Sequence, residues 1–161
     1  MERLPSFRSC YFCGTENRSG LGIRYFRDGG KDRVWGSVDP GSMLCGYPGI
    51  LHGGIQAALL DDVIYWAVAY RFALTSVTVS LNTRFRAPAR LGRAFRLEAW
   101  VAVARGRKVT ARGELRDAKG GVVAEGEGVY LLHPTEVFRE QMLPYFDFSG
   151  CSEAMRARFG G

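Results

Sequence analysis

Gly46-Tyr47-Pro48-Gly49-Ile50-Leu51-His52-Gly53-Gly54-Ile55-Gln56-Ala57-Ala58-Leu59-Leu60-Asp61-Asp62 decides how this chain is read. The first half is dense in glycine and carries Pro48. The second half opens a run, residues 55–70, with neither Gly nor Pro. Alanine and leucine there favour a helix. Apolar side chains fall nearly all round it, so the spacing predicts a buried helix rather than a surface one. His52-Gly53-Gly54 stands at its head. The first turn of a helix presents free N–H groups and a partial positive charge. That turn suits an anion or a developing oxyanion, and glycine lets a ligand approach the backbone.

Asp61 and Asp62 lie in the interior of this helix, where a carboxylate gains no capping interaction. Burying one unpaired is expensive, so at least one is expected to reach solvent or a subunit interface. The alternative is a structural carboxylate that accepts hydrogen bonds from backbone or from a side chain such as Arg84. The two lie about 100° apart on the helix and cannot share one role. Asp61 is also roughly 12 Å along the helix from Gly53, too far for both to act on one small group within a chain. A two-fold dimer would solve this by setting Gly53 of one chain beside Asp61 of the partner subunit, giving two interface sites.

Outward from the helix the pattern changes to period two. Strands are expected at residues 21–27 and 33–38, joined by a turn at Asp28-Gly29-Gly30-Lys31-Asp32. Past the helix, Val77, Val79, Leu81, Thr83 and Phe85 alternate with Thr78, Ser80, Asn82, Arg84 and Arg86, as in a half-covered strand. Further strands are expected at 95–103, 108–116 and 122–132, with turns at Arg105-Gly106 and at residues 117–121. A short helix is expected within 135–146. Residues 1–20 read as an irregular segment, 21–146 as one domain and 147–161 as a tail. The architecture that follows is α+β: an antiparallel sheet wrapped around one central buried helix. Its last four strands form a meander, and a second subunit closes the rest of the helix.

The chain has 161 residues and a formal net charge of +6. No run reaches the ~20 apolar residues of a membrane span, and Met1–Pro5 has no apolar run like that of a signal peptide. The reading is cytoplasmic. Of the four cysteines, Cys10 and Cys13 form a single C-x-x-C. That gives two zinc ligands where a structural site wants four; Cys45, Cys151 or a second subunit would have to supply the others. No metal and no cofactor is assigned. The positive charge favours anionic partners such as nucleic acid, a membrane surface or a phosphate-bearing metabolite. Tyr25, Phe26, Trp35 and Phe85 could stack bases, but they fall at strand positions that a core explains, so nucleic acid is set aside. A hydratase needs a His and a carboxylate working together, and no such pair is evident.

The residues 46–62 quoted above closely resemble the signature of PaaI-type hotdog-fold acyl-CoA thioesterases, in which a G-x-P-G-x-x-H-G-G stretch runs into the central helix. Residues 82–92, ending in Pro88 and Leu91-Gly92, resemble a strand of that family, and residues 120–126 its last hairpin. The likeness runs from about Gly20 to Leu132. It implies an acyl-CoA substrate, a homodimer, and pairing of dimers into a homotetramer. It implies Asp61, nine residues after the histidine, as nucleophile or general base, with the Gly53 N–H polarising the thioester carbonyl. His52 would shape the turn and Thr78 would orient the water or the carboxylate. Gly54 would complete the binding turn, and Arg84, Arg86, Arg90 and Arg93 are candidates for the phosphates of CoA. Tyr65, Trp66 and Phe85 are candidates to line the acyl pocket. The chain departs from the family at Cys45-Gly46, where an Asn or Gln side chain often precedes the turn.

Overall fold

The computed structural model describes residues 1–28 and 32–160. The helix expected at 55–70 is α1 (Gly53–Phe72), two residues longer at each end. It is apolar on every side, and Leu59, Leu60, Val63, Ile64, Trp66 and Val68 have no exposed surface. In chain order the strands are β1 (Glu2–Arg3), β2 (Ser6–Phe7), β3 (Tyr25–Arg27), β4 (Val34–Val38), β5 (Cys45–Tyr47) and β6 (Ile50–Leu51) before the helix. After it come β7 (Ser76–Phe85), β8 (Phe95–Arg105), β9 (Lys108–Arg116), β10 (Val122–Leu132) and β11 (Phe146–Asp147). The main sheet has seven strands in the order β1-β3-β4-β8-β9-β10-β7. Every pairing in it is antiparallel. The turn expected across residues 28–32 falls partly on 29–31, outside the described residues.

One expectation about the sheet needs correction. The last four strands are not a plain meander. β8, β9 and β10 are successive hairpins, but β7 pairs with β10 at the far edge and not with its sequence neighbour β8. The connection over residues 86–94 is longer than a tight hairpin turn, and that length lets β7 lie remote from β8. Residues 1–20 are turns and loops apart from two short strands. β1 extends the sheet beside β3, β2 pairs with β11, and Leu4 and Cys13 join the core. Strands of two residues are too short to show a period in sequence.

The side of α1 away from the sheet is covered largely by the chain's own ends. Phe7 of β2 packs edge-on against Phe146 of β11 at 4.7 Å and 89°, and touches both Tyr65 and Trp66. The helical tail begins as α2 (Thr135–Val137), continues through a π turn at Phe138–Met142 and ends in a 3-10 turn at Leu143–Tyr145. Closing the same cluster is α3 (Glu153–Phe159), with Met155 and Phe159 buried. Its first turn is capped by Ser152, whose hydroxyl accepts from the Met155 N–H at 3.2 Å, worth about 1 kcal/mol. On the sheet side α1 lies close. A Cβ on Gly113 of β9 would stand 2.7 Å from Ile64 Cγ1, so glycine in mid-strand is what admits the helix.

One irregularity matters for function. Between β10 and β7, Val129 faces Ser80 and Tyr130 faces Thr78, so Val79 is an extra residue on β7. Such a bulge reverses the inward and outward alternation beyond it. No described helix is long and apolar enough to cross a membrane.

Candidate active site

The hairpin of β5 and β6 delivers the chain to His52, which caps α1. Its Nδ1 accepts from the Gly54 N–H at 2.9 Å. Its carbonyl accepts from the N–H groups of Ile55 and Gln56, both at 3.0 Å. An accepting Nδ1 carries no proton, so the ring presents an N–H only at Nε2. The Gly53 N–H makes no hydrogen bond among the described residues and remains at the positive end of the helix. Above it lies an open groove of about 1020 Å³ whose walls include Tyr47, Pro48, Phe85, Arg86 and Arg90. Phe85 is 56% exposed there, and its ring stands beside Gly53.

Two turns along the helix, Asp61 faces the bulged end of β7. Its Oδ1 accepts from the Thr78 hydroxyl at 2.9 Å and from the Tyr130 hydroxyl at 2.7 Å. Burial and then the Asp61 charge push the Tyr130 phenol well above its ordinary range, so it stays protonated and donates to the carboxylate. Both donors act on one oxygen. Oδ2 has no hydrogen-bond partner among the described residues and is not sealed from solvent. A carboxylate held at one oxygen and open at the other can take a proton from water or attack a carbonyl.

Asp62 faces a different environment. Cys10 Sγ lies 3.8 Å from its Oδ1, and Oδ2 is sealed with no partner. Burial, and next the Cys10 charge, push this carboxyl well above the usual range. At least one of the two carboxylates is expected to reach solvent: Asp61 does so at Oδ2, while Asp62 is sealed at its Oδ2.

The structure brings His52, Gly53, Phe85, Arg86 and Arg90 to one groove, leaves Gly54 outside its lining with its N–H on His52 Nδ1, and brings Asp61 and Thr78 to a second place on α1. Arg86 is paired with Glu125, whereas Arg90 makes no ion pair among the described residues. Arg84 is elsewhere, on the outer face of the sheet with Asn82, Arg112 and Glu127, and it does not bond Asp61. Arg93 is exposed beyond the strand end. Trp66 is not an acyl-pocket residue. It has no exposed surface, and it and Tyr65 pack under Phe7 because the N-terminal segment folds over them. The residue that sequence reasoning missed is Tyr130. Its place in β10 was legible, but nothing local signalled that its hydroxyl reaches a helix carboxylate 69 residues away.

Residues 48–124 match the family model described as the thioesterase superfamily. A solved thioesterase superfamily protein is 30% identical, with a TM-score of 0.69 over 77% of this chain and 63% of its own. The chain carries the hotdog fold of the thioesterase superfamily. The PaaI protein of the E. coli phenylacetic acid degradation operon has the same fold, with a TM-score of 0.64 and 18% identity over 71% of this chain and 81% of its own. An uncharacterised protein of Schizosaccharomyces pombe is 35% identical over 82 residues, 50% of this chain. The chain spans about half the length of that curated relative, 47%. In this hotdog fold the matched segment runs from Pro48, before the His52 turn, through α1 to Ala124 on β10. It therefore contains both the free Gly53 N–H and Asp61.

Proposed function

We propose that the protein hydrolyses an acyl-CoA thioester to the free acid and CoA. The observation that carries this reading is the Asp61 carboxylate, fixed at Oδ1 by Thr78 and Tyr130 and open at Oδ2, on the helix headed by the Gly53 N–H. As general base, Asp61 removes a proton from water while the water oxygen attacks the thioester carbonyl carbon. The C–S bond then breaks and the thiolate leaves with a proton. As nucleophile, Asp61 would attack the carbonyl carbon and expel the CoA thiolate as the C–S bond breaks, leaving a mixed anhydride that water then opens to the free acid and the Asp61 carboxylate. In either route the Gly53 N–H donates to the carbonyl oxygen as negative charge develops on it.

Gly53 and Asp61 serve one substrate only if two chains supply them, so the reading includes a homodimer with the site at its interface. An edge strand supports this. β7 ends the sheet with Val77 48% and Val79 62% exposed, an unpaired apolar edge that a second copy would cover. Pairing of dimers through their sheets extends the same reading, as does a cytoplasmic location. Arg90, and Arg86 when released from Glu125, would meet the phosphates of CoA at the groove. A second reading, a non-catalytic acyl-CoA-binding module, is favoured by Cys45-Gly46, where the family often places an amide.

The test is CoA release from a panel of acyl-CoAs, followed by chromatography because Cys45 is exposed and would itself react with a thiol reagent. Turnover that collapses in Asp61→Asn supports hydrolysis. Saturable binding of acyl-CoA with no release of CoA from any of them would replace it with the binding module.

A further inference from the structure

Asp62 is a half-buried carboxylate, sealed at Oδ2, with no cation paired to it among the described residues. What surrounds it is specific. Cys10 Sγ, Cys13 Sγ and an Asp62 carboxylate oxygen all lie within 4.8 Å of one another. The hydroxyls of Tyr25 and Tyr65 are also buried without a hydrogen-bond partner, as is Asp62 Oδ2, and both phenols feel the charges of Asp62, Cys10 and Cys13. The Tyr25 hydroxyl and Asp62 are near enough to interact, and sealed oxygens beside two thiols are unusual, because buried polar groups normally have partners.

The backbone shapes this cluster. Cys10-Tyr11-Phe12-Cys13-Gly14 turns back on itself, with the Gly14 N–H donating to the Cys10 carbonyl at 3.0 Å and the Cys13 N–H donating to Cys10 Sγ at 3.4 Å. A Cβ on Gly14 would stand 2.3 Å from the Cys10 carbonyl oxygen, so the turn requires glycine. It sets both sulfurs on the same side, against α1. An N–H aimed at Sγ favours the thiolate over the thiol.

We propose that Cys10, Cys13 and Asp62 bind a thiophilic divalent cation, with Zn²⁺ the best fit. Two thiolates and a carboxylate are a ligand set that zinc accepts. Tetrahedral bonds of zinc to sulfur and oxygen set neighbouring ligand atoms about 3.5–3.8 Å apart, and the Cys10–Asp62 separation is 3.8 Å. The fourth ligand is water entering beside Cys10, which is partly exposed, whereas Cys13 is 1% exposed. The cation would neutralise Asp62 and tie the N-terminal segment to α1. This inference does not rest on the thioesterase reading, since its readout is metal binding and not turnover.

The experiment uses the full chain, reduced, stripped with EDTA and titrated with Co²⁺ as a spectroscopic probe. One Co²⁺ per chain is expected, with a thiolate-to-metal charge-transfer band that Zn²⁺ displaces. The band should disappear in Cys10→Ser and Cys13→Ser and persist in the Cys45→Ser/Cys151→Ser double variant. Even outer-shell partners contribute about 10–100-fold to metal affinity, so Asp62→Asn should bind more than about tenfold more weakly. Asp62→Asn and Cys10→Ser are near-isosteric, and circular dichroism checks that each is folded. Overturning results are a reduced chain with no such band, a band that survives Cys10→Ser, or Asp62→Asn binding as tightly as the natural chain. A chain that binds no Co²⁺ but closes a Cys10–Cys13 disulfide with oxidised glutathione would also overturn it, in favour of a redox pair.

Discussion

Asp61 and Asp62 are adjacent in sequence and face two different worlds. Asp61 looks toward the edge strand β7 and meets hydroxyls, which hold one oxygen and leave the other open. Asp62 looks toward the N-terminal segment and meets thiols and phenols, with its Oδ2 sealed from solvent. The residue type is the same; the partners set the chemistry. The open side suits a reaction with a water and a thioester. The closed side suits retention of a small cation. The cover is the physical difference, because β2, β11 and α3 lie over one flank of α1 while the β7 edge is left bare.

The sharpest way to break this comparison is to neutralise each carboxylate in turn. Asp61→Asn should lower acyl-CoA turnover by about 10²–10⁴-fold, the range for loss of a positioned proton acceptor, with the melting temperature little changed. Asp62→Asn should have a far smaller effect on turnover, because its carboxylate faces the other flank. Equal losses would mean that the two flanks are not functionally distinct.

Next in size are the two donors on Asp61. A hydrogen bond to a charged group is worth about 1.5–3 kcal/mol, so Tyr130→Phe and Thr78→Ala should each reduce kcat by about 10–100-fold. Because both bonds end on Oδ1, the double variant should lose less than the product of the single losses, which steady-state kinetics would read directly.

On the closed flank, Phe7→Ala removes a ring that touches Tyr65, Trp66 and Phe146. Full burial of a phenylalanine is worth about 3–5 kcal/mol on truncation to Ala. Phe7 is half-buried, so a loss of about 2 kcal/mol is expected in urea unfolding. No change in stability would show that the N-terminal cover is dispensable.

The smallest effect sharpens the same contrast through pH. The Ser149 side chain and N–H hold the Asp147 carboxyl down to about 2, against an ordinary value of 3.8, with the N–H bond at 2.8 Å. A carboxyl depressed in the folded chain stabilises it above the unfolded value, and that contribution is lost as pH falls from about 4 through about 2. Asp147→Asn should flatten the dependence of stability on pH across that interval, measured by thermal unfolding. An unchanged slope would remove Asp147 from the account.

Much of this was legible in the chain. The buried helix, its glycine-rich approach and six of the main sheet's seven strands follow from local composition and period, and Asp61 becomes a candidate through the resemblance to a signature that sets a carboxylate nine residues after the histidine. The terminal segments were not legible, because pairing between Ser6–Phe7 and Phe146–Asp147 joins pieces too short to carry a period of their own. Thr78 shows the limit most plainly. Strict alternation along residues 77–85 sets it on the face opposite Leu81. The extra residue at Val79 reverses that parity and turns the Thr78 hydroxyl, with Tyr130, onto Asp61. Local sequence fixes which residues form a helix or a strand, since propensity and period act over a few neighbours. Which of two adjacent carboxylates meets hydroxyls and which meets thiols, and where β7 lies in the sheet, depend on contacts between residues 17 to 69 positions apart. Only the packed chain decides those.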